Sequence, residues 1–146
     1  MRKLISQAII LFASTGYSMT VVADTFRYSS EDFKLEISSK SVKNVYEELI
    51  SKPNAVASTI DATGTVIKTE NNVRFLFVSQ SHPAYPSVVI RYVTYSPASS
   101  TEKNLAKLNY YLLCEAVEDK CIELHKNLIE GSKAFSEGFN SAVNPK

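Results

Sequence analysis

The chain of 146 residues is poor in the residue types that most enzyme motifs need, with no tryptophan, four glycines, two histidines and two cysteines. Gly16, Gly64, Gly131 and Gly138 are too widely spaced to form a loop that cradles phosphate. No Gly-x-Ser-x-Gly sequence is present, which excludes the nucleophile elbow of many hydrolases. We therefore predict that the protein has no catalytic residues, is not an enzyme and binds no cofactor.

The two histidines, His82 and His125, are not accompanied by ligands at metal-binding spacing, and we predict no metal site. His125 follows Leu124 on a helical pattern and is typical of a helix surface or the edge of a core. Cys114 and His125 could form a thiol dyad, but a disulfide would consume the thiol.

The N-terminal segment is what the sequence shows most clearly, because it has the three parts of an export signal. Arg2 and Lys3 precede an apolar stretch from Leu4 to Phe12, and a small-x-small sequence ends at Ala23. We predict cleavage after Ala23 and a periplasmic or secreted mature protein that begins at Asp24. The alternative is a retained membrane anchor, which the serines and threonines of the segment disfavour.

Cleavage would remove Arg2 and Lys3 and leave 14 basic against 15 acidic side chains. A near-neutral chain lacks the clustered positive charge of nucleic-acid-binding proteins, and it has no basic amphipathic stretch for anionic lipid. We predict a soluble domain over residues 24–146 that binds no nucleic acid and is not stably inserted in a membrane.

The first part of this domain predicts a strand and a helix. The alternation of apolar and charged residues over Phe33–Ile37 is typical of a half-buried strand. Ser41 can cap a helix that has Val42, Val45, Tyr46, Leu49 and Ile50 along one face. Pro53 would end that helix.

The next part predicts a three-stranded meander. Residues 65–69 and Val73–Val78 are rich in β-branched and aromatic side chains, and Asn71-Asn72 can form a two-residue turn between them. That turn would place Lys68 opposite Phe75, Val66 opposite Phe77 and Ile67 opposite Leu76. Val88–Tyr95 predicts the third strand.

The last part predicts helices, from Lys103 to Cys114 and from Lys120 to Ile129, with a further short helix near Phe135 and Phe139. A β-hairpin is an alternative, because Leu108, Tyr110, Leu112 and Cys114 alternate. The fold class is therefore α+β: a small antiparallel sheet of three to four strands, an N-terminal helix and a C-terminal helical hairpin.

Cys114 and Cys121 predict a structural disulfide, because an exported protein with an even number of cysteines favours one. Free cysteines are the main alternative, and a redox pair is disfavoured because it prefers Cys-x-x-Cys spacing. Within one unbroken helix their Cα atoms would lie about 10 Å apart, beyond the roughly 7 Å that a disulfide spans. The bond therefore requires that no continuous helix joins the two residues.

The segment Ser81–Ser87 has the clearest binding character, because two prolines restrict its backbone and tyrosine is enriched at interfaces. We predict a binding site with Tyr85 as anchor and His82 as a polar contact. The alternative is a plain inter-strand connection with Tyr85 folded onto the sheet.

These features predict a small exported binding protein that recognises another protein in the same compartment, as an inhibitor or immunity protein does. The alternative is a small-ligand-binding domain or a cryptic enzyme. Its pocket would lie between the sheet and the C-terminal helices, with His82 or His125 at the mouth.

Intact-mass measurement of the exported protein tests the N-terminal prediction. We expect a mass that corresponds to residues 24–146 in the fraction outside the membrane. A full-length mass in the membrane fraction would instead identify a retained anchor.

Overall fold

The computed structural model describes residues 24–60, 64–69, 71–97, 99, 103 and 105–144, so the predicted export signal lies outside the described residues. The fold is α+β, as predicted, with one antiparallel sheet and two helices in the described part. The sheet has six strands in the order β1-β6-β5-β4-β3-β2, so the prediction of three to four strands was too low. The elements are β1 Phe26–Ser29, α1 Val42–Ile50, β2 Val56–Ile60, β3 Gly64–Lys68, β4 Arg74–Val78, β5 Ser87–Ser96, β6 Leu105–Cys114 and α2 Glu118–Val143.

Helix α1 lies where the sequence predicts it, although it follows a first strand. The Ser41 hydroxyl accepts a hydrogen bond from the Asn44 backbone amide at 3.1 Å, which satisfies one of the free donors of the first turn. Val42, Val45 and Leu49 are buried, while Ile50 is exposed at the margin of the predicted apolar face.

The β3–β4 hairpin forms in a register different from the predicted one. Ile67 lies opposite Phe75 and Val66 opposite Leu76, so every pair is shifted by one residue. The Thr69 amide donates to the Val73 carbonyl at 3.1 Å, and the loop therefore contains three residues rather than two. Asn72 has a φ of 57°, the left-handed conformation expected at the end of such a loop.

The predicted helix from Lys103 to Cys114 was wrong, because this segment contains strand β6. It pairs with β5 over ten residues, from Ser87 opposite Cys114 to Ser96 opposite Leu105. The alternation that had favoured a β-hairpin therefore decides the structure, and it places Tyr110, Leu112 and Cys114 on one face of the sheet.

Helix α2 is one continuous helix of 26 residues, where a helical hairpin and a separate tail helix had been predicted. Gly131 and Gly138 lie within it and do not end it. The predicted disulfide between Cys114 and Cys121 is present, with the two Cα atoms 5.8 Å apart. It joins the last residue of β6 to the first turn of α2, so no helix has to span the bonded residues.

The predicted strand over Phe33–Ile37 is an extended segment without a strand partner. Its apolar side chains still contribute to the core, because Phe33 and Ile37 pack against the cluster beneath α1. The Tyr92 hydroxyl holds the segment by accepting from the Lys34 amide at 2.9 Å and donating to the Asp32 carbonyl at 3.2 Å.

Each face of the sheet has its own apolar cluster. One lies under α1 and contains Ile67, Phe77, Val88, Ile90 and Leu113. The other lies under the first half of α2 and contains Val89, Tyr110, Leu112 and the two cysteines. The inner strands β5 and β6 therefore supply side chains to both clusters.

Replacement of Ile90 by Ala should lower the free energy of unfolding by about 2–5 kcal/mol, because Ile90 is fully buried under α1. Leu76→Ala should cost less, since Leu76 is only partly buried on the other face. Urea unfolding of both variants measures the difference. Equal losses would contradict the difference in burial between the two residues.

Replacement of both cysteines by Ala should lower the free energy of unfolding by about 2–3 kcal/mol, because the bond closes a short loop in the unfolded chain. Thermal and urea unfolding of the double variant provide the measurement. Two thiols that react freely with an alkylating reagent in the native oxidised protein would contradict the assignment.

Candidate functional site

The loop between β4 and β5 is held by hydrogen bonds within itself. The His82 amide donates to the Ser79 carbonyl at 3.0 Å, and the Tyr85 amide donates to the His82 carbonyl at 3.0 Å. The Ala84 amide donates to Nδ1 of His82 at 3.0 Å. One ring nitrogen of His82 therefore supports the loop, and the predicted polar contact from His82 to a partner stays a prediction.

The loop is also fixed to the core next to the disulfide. Ala84 is buried beside Cys114 and Cys121. The Ser87 hydroxyl donates to the Ala84 carbonyl and lies 3.1 Å from the Cys114 sulfur. The Glu115 amide donates to the Pro86 carbonyl at 2.9 Å. The backbone around Tyr85 is thus supported on both sides.

Tyr85 itself is not buried, because 44% of its surface is exposed. It borders a shallow cavity of about 370 Å³, which it shares with Tyr46 of α1. Tyr46 is 40% exposed and meets Phe77 edge-on, with ring centroids 5.2 Å apart. Pro86 and Lys43 also line the cavity, and we call Lys43, Tyr46, Tyr85 and Pro86 the Tyr85 surface.

Sequence reasoning missed Tyr46, because it was placed on the buried face of α1. The buried residues Val42, Val45 and Leu49 follow a spacing of three and four, and Tyr46 lies one position off that line. An offset of this kind was the available signal that Tyr46 stands at the margin of the helix.

The charged groups Glu115 and Lys43 at the Tyr85 surface have different surroundings. The Glu115 carboxylate accepts a hydrogen bond from the Val42 amide at 2.9 Å, at the N-terminus of α1, where negative charge is favourable. The Lys43 side chain is 81% exposed, and its Nζ forms an ion pair with Oε1 of Glu47 at 3.6 Å. The surface therefore presents two aromatic rings with an exposed cation at the rim.

His125 lies away from this surface, between the sheet and α2. Its ring stacks on Tyr28 with centroids 4.4 Å apart, and its Nε2 lies 3.1 Å from the Tyr110 hydroxyl oxygen. Burial lowers the pKa of His125 and raises the pKa of Tyr110, so both groups favour their neutral forms. This contact stabilises the core beneath α2.

Of the other candidates named from the sequence, the structure brings Cys114 and Cys121 together. Cys114 is bonded to Cys121, so no thiol is left to pair with His125. Within the described ranges, no three His, Cys, Asp or Glu side chains come close enough to hold a metal ion. No helix among the described residues is long and apolar enough to cross a bilayer.

Comparison of the chain with protein-family models, with curated proteins and with solved structures finds no match.

Acidification should destabilise the protein in part through His125. Burial lowers its pKa below the ordinary 6.5, so below that pH the unfolded state binds a proton more readily than the folded state. His125→Gln keeps a polar group near Tyr110 and removes the titration. Urea unfolding from about pH 7.5 to about pH 5 should therefore show a shallower loss of stability in the variant than in the wild type. Identical pH profiles would contradict this role for the buried imidazole.

Proposed function

We propose that the protein is a small exported binding protein without catalytic activity, and that it recognises another protein in the same compartment through the Tyr85 surface. Inhibitors and immunity proteins act in this way. The observation that carries the proposal is the exposure of Tyr85 on a loop whose backbone is held by the core.

An exposed tyrosine on a held backbone suits recognition for two reasons. Tyrosine supplies a large apolar body with a polar tip, and it is among the residues that most often dominate binding energy at interfaces. A loop that is already ordered loses little conformational entropy when a partner binds. The cavity shared with Tyr46 can receive an apolar side chain of the partner.

We propose no catalytic activity because the cysteines and His125 already have structural partners. The disulfide occupies both sulfur atoms, and His125 is held between two tyrosine rings. A disulfide also suits an oxidising compartment, which supports the proposal of export. The proposed localisation outside the cytoplasm depends on the predicted cleavage after Ala23.

Tyr85→Ala and Tyr46→Ala should each weaken partner binding by more than about 1 kcal/mol, or about fivefold, with little change in the melting temperature. The partner is first isolated by affinity capture of the mature protein from its own cells and identified by mass spectrometry. Affinities are then measured with the purified partner. Tyr95→Ala serves as a matched control, because Tyr95 is an exposed tyrosine outside the Tyr85 surface.

The outcome for His82→Ala separates support of the loop from contact with the partner. Support alone predicts lower stability, while a contact predicts lost affinity with stability retained. A Tyr85→Ala protein that binds as tightly as the wild type would contradict the proposal. So would a hydrolase screen that detects turnover abolished by His82→Ala.

A further inference from the structure

A row of three cations runs across β3, β4 and β5 on the face that α2 covers elsewhere. Lys68 of β3 lies directly opposite Arg74 of β4, and Arg74 lies directly opposite Arg91 of β5. By the alternation of the strands, all three share the face of Leu76 and Val89. Like charges in directly opposite positions destabilise a sheet, so this arrangement costs folding stability.

No acidic group in the described part compensates the two arginines, since neither has an ion pair or a hydrogen bond with a carboxylate there. Burial lowers the pKa of Arg91, and the neighbouring charge of Arg74 lowers it further. Arginine nevertheless stays protonated in proteins, so both guanidinium groups keep their charge. An anion from outside the chain would relieve this repulsion.

The two arginines also stand in a notch of the sheet. Pairing between β4 and β5 ends at Arg74 and Arg91, while β5 continues with β6 as far as Ser96. The notch beside this overhang is a cavity of about 550 Å³, within the common range of small-molecule sites. Its apolar wall is formed by Val93 of β5, Leu108 of β6 and Phe135 of α2.

We propose that this notch binds a small amphipathic anion, with a phosphate or carboxylate group on Arg74 and Arg91 and an apolar group against Val93, Leu108 and Phe135. Each guanidinium group carries N–H donors in a planar fork that matches the oxygens of either anion. The described residues that line this cavity include neither histidine nor a carboxylate, so we propose recognition rather than acid–base chemistry. It is independent of the Tyr85 surface and holds whether or not a protein partner binds there.

Isothermal titration of the purified protein with n-octyl phosphate, octanoate and the neutral n-octyl glucoside tests the proposal. We expect at least one of the two anions to bind more tightly than the glucoside, and the tighter anion identifies the head group. Arg74→Gln and Arg91→Gln should each weaken that binding about tenfold or more, because each removes a charged hydrogen-bond donor. Arg27→Gln is the matched control, since Arg27 is an exposed arginine on β1 whose side chain donates to the Lys40 carbonyl.

Thermal unfolding distinguishes a role of Arg74 in binding from a role in stabilising the fold. Arg74→Gln should melt at the same temperature as the wild type or higher, because it removes like-charge repulsion from an exposed position. A lower melting temperature would show that Arg74 serves the fold and would contradict the proposal. Equal affinity for n-octyl glucoside and both anions, or equal binding by Arg91→Gln and Arg27→Gln, would also overturn it.

Discussion

The ten-residue antiparallel ladder between β5 and β6 determines how the other elements are arranged. Its two strands carry apolar side chains on both faces, so each face must be covered. Helix α1 covers one face over Val88, Ile90 and Leu113, and α2 covers the other over Leu112 and Tyr110. Two-sided burial also fixes the register, because a shift by one residue would exchange the two sets of side chains.

One end of this ladder organises the Tyr85 surface. Ser87 and Cys114 are paired there, and the disulfide, the Ser87 hydroxyl and Glu115 all connect at that point. Glu115 reaches α1 through the Val42 amide, which sets the start of the helix and so the place of Tyr46. The surface is thus assembled from two elements that are far apart in sequence and held by one cluster of contacts. Further along the ladder, the overhang of β5 beyond β4 creates the notch that contains the arginine pair.

Local signals in the sequence predicted the elements that depend on local contacts. Helix α1 follows from a capping serine and regular apolar spacing, and β5 follows from a β-branched run. Strand β6 could not be separated from a helix, because its leucines fit both periods and only distant pairing with β5 decides. The hairpin register likewise depends on burial of both faces rather than on the turn residues. Tyr85 could therefore be proposed as a candidate from sequence alone, whereas Tyr46 and the arginine pair became candidates only once the helix position and the strand register were known.

Site-specific photo-crosslinking in the cells that make the protein tests most directly whether the Tyr85 surface contacts a protein partner. A photoreactive residue replaces Tyr46, which lies beside Tyr85 but outside its loop, and a second version replaces Tyr95. We expect a covalent adduct with one other protein from position 46 and none from position 95. Adducts from position 95 alone, or none from position 46 in a folded exported protein, would contradict it.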